Sequence, residues 1–132
     1  MSIAYDVALY IAQTLGQGTL AADVFCNNMP LTPDDCIAVF QYGGSPSAKG
    51  MGSDTHPLEH PSVQIDVRNV DAELAESKCA AIHKSFDELV TATINSTEYT
   101  SFEPMQPPFL LERDASDRAT FIFNMELQRR RA

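Results

Sequence analysis

The sequence predicts an α+β fold, a mixed and mainly antiparallel sheet packed by two main helices. Three observations lead there. Residues 120–128 alternate, with Phe121, Phe123, Met125 and Leu127 on one side and Thr120, Asn124, Glu126 and Gln128 on the other. That is the period of a strand buried on one face, and only Ile122 breaks it. Ala75, Cys79, Ile82, Phe86 and Leu89 recur at helical spacing, the stripe of a helix lying on a core. The overall order is helix, strand, loop, strand, helix and a run of strands, which belongs to α+β or mixed α/β chains.

The elements follow in order. Ile3, Val7, Ile11 and Leu15 recur every four residues, with Tyr10 widening the stripe, and Gly16-Gln17-Gly18 closes that first helix, since glycine accepts the left-handed conformation at a helix end. Residues 27–35 hold Pro30 and Pro33 beside Thr32 and Asp34, which is turn chemistry. Cys36 to Tyr42 carries apolar residues at both parities and suits a strand covered on two faces. Gly43 to Pro61 holds four of the six glycines and three of the eight prolines. It reads as a long mobile loop, the segment best suited to order against a partner.

The period then becomes two, with Val63, Ile65 and Val67 opposite Gln64, Asp66 and Arg68, as in a half-buried strand. Residues 69–71 start the second helix, acidic residues fill its first turn, and it is expected to end near Thr91. Thr97 to Phe102 is a further strand candidate. Met105 to Leu111, limited by Pro107 and Pro108, is an edge strand or an extended arm. Asp114 to Asp117 is a polar turn feeding the last strand. Nothing calls for a second domain, so residues 1–132 are read as one, with a basic tail at 129–132.

Composition narrows the function classes. The chain has 132 residues, 44% hydrophobic and 20% charged, with 18 acidic and 9 basic residues and a net charge of -9. That apolar content can bury one core, and it argues against disorder. No apolar run approaches the roughly 20 residues of a membrane span, and no basic segment precedes the first apolar residues, so no membrane or secretory signal is expected. The excess negative charge argues against general nucleic-acid binding. Cys26, Cys36 and Cys79 are odd in number and irregular in spacing, as in a reducing compartment such as a cytoplasm.

Candidate chemistry is sparse. His56 and His60 are four apart, with Asp54 and Glu59 near, a spacing that suits metal on a helix; Pro57 and Pro61 argue against that helix, and solvated loop histidines are the plainer reading. His83 flanks the second helical stripe as a boundary residue. No Gly-x-Ser-x-Gly elbow and no phosphate-binding fingerprint is present. Asp114 and Arg118 bracket a turn and could form a local ion pair. Arg129, Arg130 and Arg131 could bind an acidic partner, or be a solvated terminus.

The order of these features resembles the minor capsid and tail-terminator (head–tail joining) family of long-tailed bacteriophages. The resemblance rests on the N-terminal helix and on Met29-Pro-Leu-Thr-Pro-Asp-Asp-Cys-Ile-Ala-Val-Phe-Gln-Tyr-Gly-Gly44, a Pro/Asp turn leading into a strand. It continues through Pro61-Ser-Val-Gln-Ile-Asp-Val-Arg68 and a helix opening Val70-Asp-Ala-Glu-Leu-Ala75. It closes on Pro107-Pro-Phe-Leu-Leu-Glu-Arg-Asp114, the turn to Arg118, and Phe121-Ile-Phe-Asn-Met-Glu-Leu127. The loop at 45–60 is longer than that pattern, and the arginine triplet lies outside it.

The resemblance implies a structural virion protein at the tail–head junction, assembled in the host cytoplasm, with no catalytic step and no cofactor. It implies a homohexameric ring contacting the tail tube protein and a head-completion or connector protein, with DNA passing through unbound. Arg68, Asp114, Arg118, Arg129, Arg130 and Arg131 are then candidates for subunit or partner contacts. Two other readings stand beside it: a small metal-dependent enzyme using His56, His60 and Asp54, and a non-viral oligomeric binding module.

Overall fold

The computed structural model describes residues 3–48 and 58–130, and at 44–48, 58 and 130 only the main chain. The first helix, α1 (Ile3–Leu9), continues as a π-helical turn over Tyr10–Thr14. Its apolar stripe of Ile3, Val7 and Ile11 is fully buried, and Gly16 with φ +66 turns the chain away. A short strand β1 (Val24–Cys26) precedes β2 (Cys36–Ala48) and β3 (Leu58–Asn69). Helix α2 (Ala72–Glu88) follows, then β4 (Ala92–Ile94), β5 (Thr97–Pro104), β6 (Phe109–Arg113) and β7 (Ala119–Arg130).

Among the described residues the strands form one sheet of seven, ordered β1-β2-β3-β7-β5-β4, with β6 paired to β7 in line with β5. Only β1 and β2 are parallel; the other pairs are antiparallel. The expected α+β class is therefore what the chain adopts. Both helices lie on one face of the sheet, α1 over β1 and β2, α2 over β7 and β3. The core forms between them: Ile37 and Val39, Val63, Ile65 and Val67, and Phe121, Phe123, Met125 and Leu127 meet Val7, Ile11, Cys79, Ile82 and Phe86. These are the residues that the alternating and helical patterns single out.

Helix α2 starts where an Asp can cap it. The Asp71 side chain accepts from the Glu73 backbone N–H at 3.0 Å, satisfying one orphan donor of the first turn. It ends at Glu88 with Leu89 extended, earlier than the expected Thr91. Between β4 and β5, Asn95 and Ser96 both take positive φ while Ile94 pairs with Thr97, a two-residue hairpin of the twist-matching kind.

Several expectations change. The loop expected over 43–61 is shorter, because β2 runs on to Ala48 and β3 begins at Leu58. Register shifts between Tyr42 and Ser45, and again between Ser45 and Ala48, accommodate the extra residues, which is how Gly- and Pro-bearing chain can stay in a sheet. Residues 49–57 of that expected loop lie outside the described residues. The basic tail expected at 129–132 is in part strand, since Arg129 and Arg130 pair with Glu59 and Leu58. The strand expected at 105–111 begins only at Phe109, beyond Pro107 and Pro108. Cys36 to Tyr42 is covered on both faces only in its first half, with Gln41 and Tyr42 exposed.

Candidate functional site

The face of the sheet away from the helices is built in cross-strand rows. One row runs Cys36–Arg68–Thr120 and the next Ala38–Asp66–Ile122, with Phe109 of β6 beside Ile122. Arg68, next to last in β3, is 5% exposed, and Arg118, just before β7, is 6% exposed. Both reach into the turn between β1 and β2. The Arg68 Nη2 donates to the carbonyls of Pro30 (2.6 Å) and Pro33 (2.7 Å), and Nε to that of Asp34 (3.1 Å). Arg118 donates through Nη1 to the Leu31 carbonyl and to Asp34 Oδ1, the latter at 3.4 Å.

Asp114 completes the arrangement. Its Oδ2 accepts from Arg118 Nε at 2.8 Å and lies 2.7 Å from Nη2, while Oδ1 accepts from the backbone N–H groups of Arg118 and Ser116. Hydrogen bonding from Arg118, side chain and then backbone, holds the Asp114 carboxyl below its usual range, and the hydrogen bond to Asp114 in turn raises the Arg118 guanidinium. Buried guanidinium groups require filled donors, and a flat, forked donor can serve several carbonyls at once. The two arginines therefore clamp residues 30–34 onto the sheet. The clamp presents Leu31 outward, 79% exposed.

Arg68, Asp114 and Arg118, expected as contact residues, are thus brought around one turn, with Arg68 donating to backbone carbonyls and Arg118 paired with Asp114 and Asp34. Arg129 lies at the far end of β7, roughly 35 Å along an extended strand from Arg118. Its Nε donates to Glu59 Oε1 at 3.2 Å. Arg131 and the side chain of Arg130 lie outside the described residues, as do His56 and Asp54. His60 is half-buried in β3, where its main chain pairs with Ser45. Among the described residues no group of three or more His, Cys, Asp or Glu is placed to hold a metal. His83 packs edge-on against Phe123, ring centres 5.0 Å apart, as befits a boundary residue.

The thiols are unpaired. Burial pushes Cys79 up to about 12, with Asp66 adding to the effect, and burial also raises Cys36; neither is a nucleophile at neutral pH. Tyr99 donates its hydroxyl to Asp6 inside the core, and burial, then that contact, raises the phenol.

Sequence reasoning missed the clamp. The turn at 30–34 is legible as a turn, but nothing local says that two arginines 34 or more residues away close over it. The edge strand expected at 105–111 is present as β6, with later bounds, and its five residues are all exposed, including Phe109, Leu110 and Leu111.

A family model described as "Bacteriophage tail terminator protein" matches residues 12–131. The chain belongs to that family. No curated protein matches it. Among solved structures, one at 14% identity superposes with a TM-score of 0.58, over 99% of this chain and 98% of the other; at that identity the likeness speaks for the fold alone. The tail terminator is thus a structural component of a phage virion, working through contacts with other tail and head proteins. No helix among the described residues is long and apolar enough to cross a membrane.

Proposed function

We propose that this tail terminator, as a single-domain subunit, closes the head-proximal end of the phage tail tube and joins it to the head, as a ring of six copies. Family membership over residues 12–131 carries the reading. In it, the ring contacts the tail tube protein on one side and a head-completion or connector protein on the other, and DNA passes through its middle without being held. The role needs no catalytic step. Rings of this kind require two unlike surfaces on one subunit that meet head to tail. The two ends of β7 supply unlike surroundings. One is the clamped turn with Arg68, Asp114 and Arg118, which act by fixing the exposed Leu31 region. The other holds Arg129, with Arg130 and Arg131 following in sequence.

Imaging of purified particles carrying a tagged copy of the protein tests the reading. A ring of density where tube meets head is expected. Density at the opposite end of the tail, or none on the particle, would overturn it.

A further inference from the structure

Among the described residues strand β6 pairs only with β7, along one side, which leaves its other edge without a strand partner there. Phe109, Leu110 and Leu111 are 42%, 51% and 48% exposed, and the strand presents side chains on both faces. An open edge with apolar side chains invites another chain, and soluble proteins ordinarily blunt it with charge or cover it. The three half-exposed side chains offer roughly 250–300 Å² of apolar surface. A stable free-standing pair needs about 800 Å² per partner. The strand is therefore too small to hold a dimer in dilute solution. It is the right scale for one part of a contact repeated around a closed ring, where every subunit is held from two sides.

A complementary surface lies at the other end of the same sheet. Beside β1, Tyr5, Leu20, Val24, Phe25 and Cys26 line an apolar hollow of about 240 Å³, enough for large apolar side chains. The knobs on β6 and this hollow are unlike surfaces on opposite ends of one sheet, the arrangement that a head-to-tail ring needs. We infer that β6 of one subunit seats against the β1 end of the next copy of this chain, its apolar side chains filling the hollow. This rests on the reading of the protein as a ring-forming terminator.

Cys26 makes the contact testable. It is half-buried in the hollow, whereas Cys36 and Cys79 are buried. The full chain carrying Leu110→Cys, with Leu111→Cys run in parallel, is treated at high concentration with a short bismaleimide, and the same protein is imaged on particles. Each subunit would bring one thiol to each of two contacts, so a ladder of covalent dimers, trimers and larger species is expected, and Cys26→Ser is expected to abolish it. A product limited to dimers that survives Cys26→Ser would show two β6 strands pairing with each other and would overturn the inference. Rings on particles without any ladder would overturn it too, leaving the terminator reading intact. Absence of rings from particles would remove both.

Discussion

Asp66 sits at 7% exposure between Ala38 and Ile122, with Gln64 Nε2 donating to it at 2.9 Å. Burial, assisted by Glu112 and only partly offset by Gln64, raises its carboxyl from 3.8 to about 6. A carboxyl with a raised pKa binds its proton more tightly in the folded chain than in the unfolded one. Between about pH 4 and 6 the folded chain keeps the proton that the unfolded chain releases, so this group's contribution to stability falls as pH rises through that window. Above it, the buried charge costs about 2–3 kcal/mol. Asp66→Asn keeps the oxygen that Gln64 bonds and removes the charge. It is expected to raise stability at pH 7 by about 2 kcal/mol and to flatten the slope between pH 4 and 6. Urea midpoints at pH 4, 5, 6 and 7 check this, and an unchanged midpoint at pH 7 would refute it. Arg68 acts in the opposite sense, because its removal strands three carbonyls. Arg68→Ala is expected to cost about 2–3 kcal/mol. Arg68→Lys is expected to recover little of it, since one ammonium cannot reproduce the fork over Pro30, Pro33 and Asp34. Full recovery in the lysine variant, measured by thermal melting, would show that charge alone suffices.

Helix α2 was legible from its apolar stripe, and a single side chain caps its start. Asp71→Ala removes the bond to the Glu73 N–H and is expected to cost about 1 kcal/mol, a fall of about 3–5 °C in Tm for a chain this size. A loss confined to the experimental noise would mean that packing of Ala75, Cys79, Ile82 and Phe86 sets the helix start by itself. The same packing explains what could be read in advance. Strands β3 and β7 and helix α2 each turn one face to the apolar core, so their periods of two and 3.6 are imprinted on the residues; that Asp66, Arg68, Thr120 and Ile122 on the other face are buried too, where a half-buried strand was expected, depends on contacts distant in sequence. Strands β1 and β4 have three residues each, too few to show any period. The π-helical turn after α1 keeps the apolar stripe and changes only the hydrogen-bond spacing, which leaves no mark in composition. Gly43 to Ala48 hid as loop because glycine and proline are depleted in strands, and the register shifts that keep them paired with β3 are set by the partner strand. In the candidate site, Asp114 and Arg118 were legible because four residues separate them. The grip of Arg118 on Leu31 and Asp34 was not, since it spans more than 80 residues.

At the scale of the molecule, the net charge of -9 bears on the passage of DNA. Duplex affinity without sequence preference comes from lysines and arginines free to displace counterions from phosphates. The count of nine basic residues overstates what a phosphate could reach. Arg68 and Arg118 are buried in the clamp, and Lys84, Arg113 and Arg129 each face a carboxylate at 3.9, 3.0 and 3.2 Å. Exposed Glu73, Glu76, Asp87 and Glu88 make the outer side of α2 predominantly acidic. Surfaces of that sign repel the polymer at distances up to a Debye length, about 8 Å at physiological salt. A terminator with this surface would let DNA slide past without a residence time that slows its exit. The purified protein is expected to bind duplex DNA more weakly than about 10⁻⁴ M at physiological salt, the weak end of ordinary non-specific binding. Mobility shift or anisotropy with a short duplex measures it. Micromolar binding that weakens steeply with added salt would mean that the basic residues form a phosphate-binding surface after all, and the protein would then hold the DNA it is proposed to release.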